Sequence, residues 1–223
     1  WVDLLSKNFN WVTKISSPNN FKVSEVIEER DVDFNISLPF VGKNRFNILG
    51  IINYLYFKKS SYIKNEYKNF YQTLYPLSFI TDTRNISSKR RIVQIQFSLP
   101  IKHEDKLDKL LSKLIHKQKP LLCSVKKMGD QDILSNLSFY QEGWSFAVDF
   151  SYEEFNQEEI NLFYKELIKY EGKIYLAKDS HLKEKDFKLM YPEFMVWRDI
   201  VKEIDPKKSY QSELSVRLGL KNW

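Results

Sequence analysis

Two stretches of the chain carry the same succession of hydrophobic patterns. Residues 92–99 alternate apolar and polar side chains and stop at Pro100, as expected of a strand with one buried face. Leu107, Leu110, Leu111, Leu114 and Ile115 follow at offsets 0, 3, 4, 7 and 8, one apolar face of a helix. Pro120 ends that connection, and residues 121–125 read as the next strand. The order then repeats. Residues 144–150 alternate again, and Asn156 is placed as an N-cap with Glu159 three residues on. Ile160, Phe163, Tyr164, Leu167 and Ile168 reproduce the earlier helix spacing. Gly172 fits a helix C-terminal cap, and residues 173–177 read as the returning strand. Strand–helix–strand twice over predicts an α+β fold. Its core is a ferredoxin-like βαββαβ antiparallel sheet with helices on one face and the other face open for a cover or a ligand.

The flanks are less regular. Residues 1–5 and 33–38 look like strands, 46–57 like a helix, and 62–80 has no clear period. Beyond the repeat, Pro192 suits the first turn of a helix running to Ile204, where Asp205-Pro206 stops it. Residues 212–218 suit a last short helix. No low-complexity linker divides the chain, so it is read as one domain spanning 1–223. That domain has an irregular N-terminal part at 1–90, the βαββαβ core at 91–178 and a helical tail at 179–223.

Composition changes the picture only modestly. A hydrophobic content of 43% over 223 residues is enough for one sizeable core or two small ones. The first residue is Trp1 rather than Met, and the chain is taken as a piece of something longer. The net charge of +6 is spread among Asp and Glu, so a nucleic-acid partner is not expected. The cluster Lys89-Arg90-Arg91 reads as a solvated loop. A mildly basic face suits peripheral contact with an anionic membrane. The absence of a bilayer-length apolar run or an export signal in this stretch is compatible with a cytoplasmic location or one peripheral to the inner membrane. The single cysteine, Cys123, excludes an internal disulfide and sits in an apolar run as a buried, inert thiol. His103, His116 and His181 lack metal-ligand spacing, and no metal is assigned.

Chemistry is sparse. The 6 glycines are dispersed, without a phosphate-cradling loop, and there is no Ser-His-Asp set, paired Cys or HExxH. What remains is polar residues at strand positions of the repeat: Gln94 and Gln96, Lys126 and Lys127, Ser145, Tyr175 and Lys178. Lys178 stands out, because a cation at the end of a buried strand is costly unless something anionic meets it. Lys127 is read as simply reaching solvent.

The second half of the chain carries a set of spaced motifs: Ala177-Lys178-Asp179-Ser180, Met190-Tyr191-Pro192, Trp197, Asp205-Pro206 and the run 212–218 with Arg217 and Leu218. In these it resembles the FAD-linked oxidases related to decaprenylphosphoryl-β-D-ribose oxidase. Upstream, Gln94-Ile95-Gln96-Phe97, Val125-Lys126-Lys127-Met128-Gly129, Leu137-Ser138-Phe139 and the run from Gly143-Trp144 to Asp149-Phe150 also match. Residues 75–77 and 1–5 match more weakly. Ser145 and Ala147 stand where well-known members carry Asn and Cys, a departure that bears on the substrate.

The resemblance implies a flavoprotein whose FAD is held mainly by an N-terminal domain absent from this stretch. The sheet's open face would then lie over the flavin ring. It implies oxidation of a secondary sugar hydroxyl, in these enzymes the 2′-hydroxyl of polyprenylphosphoryl-ribose. An NADH-dependent reductase partner would complete epimerisation to arabinose for cell-wall synthesis. By position, Lys178 takes the catalytic, flavin-contacting role, Tyr175 lies near the cofactor, and Gln96, Lys126 and Ser145 bind substrate. Two other readings stay open: a sugar-lactone oxidase of arabinono-lactone type, and a non-catalytic ferredoxin-like binding module.

Overall fold

A computed structural model describes residues 91–130 and 135–223, and of the first ninety only Ile36, Ser37, Tyr54, Lys58, Ile80 and Thr81. The chain forms two compact units, Trp1–Ile92 and Val93–Trp223. In the first, β1 (Ile36–Ser37) pairs in parallel with β2 (Ile80–Thr81), while Tyr54 and Lys58 are helical, the Lys58 ammonium 5.8 Å from the Tyr54 ring. Otherwise the elements expected at 1–5, 33–38 and 46–57, the aperiodic stretch 62–80, and Lys89 and Arg90 lie outside the described residues.

The second unit is built on β3 (Ile92–Pro100), α1 (Leu107–Leu114), β4 (Pro120–Met128), β5 (Gly143–Ser151), α2 (Gln157–Lys169) and β6 (Lys173–Ile174). The strands form one antiparallel sheet in the order β4-β5-β3-β6, the βαββαβ arrangement that the doubled pattern predicts. Alternation sorts the side chains. Val93, Ile95, Phe97 and Leu99 of β3 are buried with Phe146, Val148 and Phe150 of β5 on the face covered by the helices. Leu110, Leu111 and Leu114 of α1 and Ile160, Phe163 and Leu167 of α2 close this core. Phe97 stacks on Phe146 at 5.2 Å and meets Phe163 edge-on at 5.1 Å. Each such ring contributes about 1.5–3 kcal/mol by leaving water.

Polar groups lock the two halves of the repeat together. Asn156 caps α2, its Oδ1 accepting from the backbone N–H groups of Glu158 and Glu159. The buried Gln118 donates to the Leu114 carbonyl at 2.6 Å and accepts from the Asn156 N–H at 3.2 Å, so it ties the end of α1 to the start of α2. Gly143 is forced: its φ is +148°, and a Cβ there would stand 2.1 Å from the Leu99 carbonyl oxygen.

Three local expectations are corrected. The left-handed residue ending α2 is Glu171 (φ 55°), with Gly172 one position further on. The N–H groups of Glu171 and Gly172 close a Schellman pair onto the carbonyls of Ile168 and Leu167. Gly172 is needed for close approach, because a Cβ would lie 2.1 Å from Leu167 Cδ1 and 2.8 Å from the Ser98 carbonyl oxygen. The returning strand covers only Lys173–Ile174; the Tyr175 N–H still bonds Gln96 O at 2.8 Å, after which residues Leu176–Lys178 curl into a 3-10 turn. Lys178 is therefore exposed at the end of a turn and is not a buried cation at a strand end. Within the expected helical tail, α3 (Glu184–Met190) is a helix that no period marked: seven residues with two buried apolar side chains, Phe187 and Met190, are too few to display one.

The tail continues with α4 (Phe194–Ile204) and α5 (Glu213–Arg217), close to the expected limits. Ser212 caps α5 in a reciprocal box with Ser215. Phe187, Tyr191 and Phe194 pack ring to ring beside the sheet, and the Tyr191 hydroxyl donates to the Ile174 carbonyl at 2.6 Å. Among the described residues no helix is long and apolar enough to cross a membrane.

Candidate functional site

The sheet face opposite α1 and α2 carries the polar half of each alternating strand. Register places Lys126 against Ser145, Ser124 against Ala147 and Leu122 against Asp149, while Ser98 pairs with Lys173. Side chains knit the central strands: Gln94 Nε2 donates to Asp149 Oδ1 at 2.6 Å, and Gln96 Nε2 to Ser145 Oγ at 3.2 Å. Gln96, Lys126, Ser145 and Tyr175 thus come together on one face although they lie up to 79 residues apart by number. Ser145 is buried, Gln96 half-buried, and Lys126 and Tyr175 exposed.

One end of this face is covered by the chain between β4 and β5. Ser98 Oγ donates to the Phe139 carbonyl at 3.2 Å and accepts from Gln141 Nε2 at 2.9 Å, and the Lys173 ammonium donates to the Ser138 carbonyl at 3.0 Å. The Phe139 ring lies 5.0 Å from that of Tyr175. Burial lowers the Lys173 ammonium below the usual lysine range, opposed by Glu193. Lys127 leaves the face, its ammonium 5.5 Å from the Trp144 ring, in keeping with a lysine that reaches outward.

At the opposite end stands Lys178. Tyr175 N–H bonds Gln96 O, and the Lys178 N–H bonds Tyr175 O at 2.9 Å, so the turn hangs beside the Gln94 end of β3. Asp149 lies there too. Burial raises its carboxyl above the usual range, while the Gln94 hydrogen bond and the Lys178 ammonium pull it back. Gln94 was named among the polar strand residues but given no role, and Asp149 was not singled out for a site. Alternation alone could have found Asp149, since a carboxylate two residues from Ala147 must share the polar face with Ser145.

The motif residues around Lys178 act as its frame. The Asp179 side chain is 0% exposed and forms an ion pair with Arg217 of α5 at 2.8 Å. Its Oδ1 accepts from the N–H groups of His181 (3.0 Å) and Leu182 (2.7 Å). Arg217 also donates to the Asp179 and Leu182 carbonyls. Tyr191 holds Ile174, and Asp205 accepts from the N–H groups of Ser209 and Tyr210 and from Lys221. Arg217 and Tyr191, from two distant motifs, therefore brace the chain on either side of Lys178, while Asp205 ties together the tail that follows α4.

Elsewhere, the Cys123 thiol is buried on the helix-covered face and its pKa is pushed up to about 12 by burial, as an inert thiol requires. The His181 ring packs 4.6 Å from Phe155, and burial lowers its pKa. Among the described residues no three His, Cys, Asp or Glu side chains gather in a way that could hold a metal ion.

No protein-family model matches the chain. It is 25% identical over 177 residues to decaprenylphosphoryl-beta-D-ribose oxidase of Mycolicibacterium smegmatis, covering 79% of this chain and 38% of that protein. The chain thus spans well under half the length of this relative. The match supports a relationship to an oxidase family.

Proposed function

We propose that this chain is the substrate-binding part of an FAD-dependent oxidoreductase that oxidises a sugar secondary hydroxyl, with a polyprenylphosphoryl-ribose as substrate. The observation that carries the reading is the polar sheet face. Lys126, Ser145, Gln96 and Tyr175, from successive strands, meet on one surface with the Lys178 turn at its edge, in a chain related to an oxidase. A flat surface of amide and hydroxyl donors with an ammonium at its rim fits one side of a planar, electron-accepting ring. The described residues include no glycine-rich phosphate cradle, so the nucleotide half of FAD would rest on another domain.

Bound there, the flavin would accept the hydride leaving the carbon that bears the hydroxyl, whose proton would pass to water. This chain's own residues would do the rest. Lys178 stabilises negative charge on the ring or on a forming alkoxide; Gln96 and Ser145 orient the sugar hydroxyls; Lys126 meets the phosphate end. A lipid-linked substrate brings the protein to a membrane surface, and an NADH-dependent reductase consumes the ketone.

The test is Lys178→Ala in a protein carrying this chain together with its flavin domain. Turnover should fall on the order of 10²–10³-fold with flavin content and melting temperature kept. Normal turnover would remove the assignment. Lipid-phosphate ribose and free pentose lactone are compared as substrates. Preference for the lactone would move the protein to the sugar-lactone oxidases, and turnover of neither would favour a binding module.

A further inference from the structure

The chain between β4 and β5 crosses the polar face at one end, and side chains rather than strand pairing fix its course. Ser98 is fully buried and lies two residues from Gln96, on the same face of β3. Its hydroxyl donates to the Phe139 carbonyl at 3.2 Å and accepts from Gln141 Nε2 at 2.9 Å. Lys173, its partner across to β6, donates to the Ser138 carbonyl at 3.0 Å. The Tyr140 hydroxyl donates to the Gly129 carbonyl, so the same few residues are also tied to the end of β4. A buried hydroxyl and a half-buried ammonium are costly without hydrogen bonds, and both find them on this one segment. The clamp leaves Phe139 half-buried, its ring 5.0 Å from the exposed ring of Tyr175, whose N–H bonds Gln96 O. An aromatic pair therefore stands one pleat beyond the Gln96–Ser145 hydrogen bond. Rings that wall a few amide and hydroxyl groups are the make-up of a small-molecule site.

We propose that residues 138–141 form a fixed strap, latched by Ser98 and Lys173, and that Phe139 on it is a specificity-determining residue. Its ring is the end wall of the sugar site and sets how long a sugar fits over Gln96 and Ser145. A pentose lies against the wall; a hexose, with one more carbon and its hydroxyl, runs into the ring. The inference rests on the functional reading above for the sugar, but the latch belongs to this chain alone.

Two experiments test it. Amide hydrogen exchange of chain 1–223 reads the latch without flavin or sugar. Lys173→Met should speed exchange across 137–141 on the order of tenfold while β3 and β5 keep their protection, and Lys173→Arg, which keeps a donor, should restore it. Ser98→Ala removes the other half of the latch and is read in the same way. Unchanged exchange at 137–141 in both variants overturns the proposal. In the flavin-loaded protein, kcat/KM is then compared for a polyprenyl phosphate carrying a pentose and one carrying a hexose. Phe139→Ala should shrink the preference for the pentose on the order of tenfold, the discrimination that one added carbon against a wall can supply. A merely structural Phe139 would lower both values alike, so an unchanged ratio ends the proposal. Turnover of neither sugar by the unmodified protein would end the functional reading, and the wall with it, while the exchange result still decides the latch.

Discussion

Asp179 and Arg217 are 38 residues apart in sequence and 2.8 Å apart in space, and their pairing carries much of the geometry around Lys178. The carboxylate is fully enclosed and the guanidinium 31% exposed. Removing the cation leaves a buried anion with only two backbone donors. Arg217→Met should therefore cost about 2–4 kcal/mol, somewhat below a fully enclosed pair because Arg217 still reaches water. Denaturant titration of the full chain measures this, and Asp179→Asn in the same background should recover part of the loss. At this scale the sequence was partly legible. Gln96, Lys126, Ser145 and Tyr175 could be picked out as polar residues in or beside strands, because alternation is a local property, whereas Lys178 was read as a strand-end cation and lies in a turn. The partner of Asp179 could not, since no local rule joins a turn to a helix that far along the chain.

At the scale of elements, the doubled pattern named α1, α2, β3, β4 and β5 from periodicity, and all stand near the expected positions. The misses cluster where the chain turns. Glu171 takes the left-handed conformation beside a glycine that was the natural choice for it, because Gly172 is claimed by packing against Leu167 and the Ser98 carbonyl. Gly172→Ala should therefore destabilise by about 1–3 kcal/mol, an overpacking cost measurable as a lower urea midpoint with unchanged slope. The shortened β6 has a similar cause: the Lys178 N–H closes a turn onto Tyr175 and leaves the ladder. Helix pairing also depends on a buried charge that no pattern announces. Glu166 of α2 meets Lys109 at 2.6 Å and Lys113 at 3.6 Å on α1, with Lys169 at 3.1 Å on its own helix.

For the second unit as a whole, such carboxylates set the response to acid. The hydrogen bond from Lys109 and those of its neighbours bring the Glu166 pKa down to about 2, and Lys221 with two backbone donors does the same for Asp205. Both folded values lie below the unfolded ones, so their stabilisation is complete above about pH 4.5 and is lost as pH falls toward 2. Asp149 runs the other way, its raised value making ionisation a cost of folding. Thermal melts of the chain should fall steeply between those limits. Glu166→Gln should lower the neutral-pH melting point while flattening the acid limb. An unchanged acid limb would show that Glu166 is not among the groups responsible.

The order of elements, the face each strand buries and the α+β class were settled by the sequence itself. Burial imposes periods of 2 and 3.6 on the residues, and those periods can be read locally. Which polar residues share a surface was decided only by tertiary structure. Strand order and register bring Lys126, Ser145, Gln96 and Tyr175 onto one surface, and a 3-10 turn braced by a distant arginine hangs Lys178 at its edge. Such pairings depend on hydrogen bonds and charges between segments far apart in the chain, and no neighbouring residue records them.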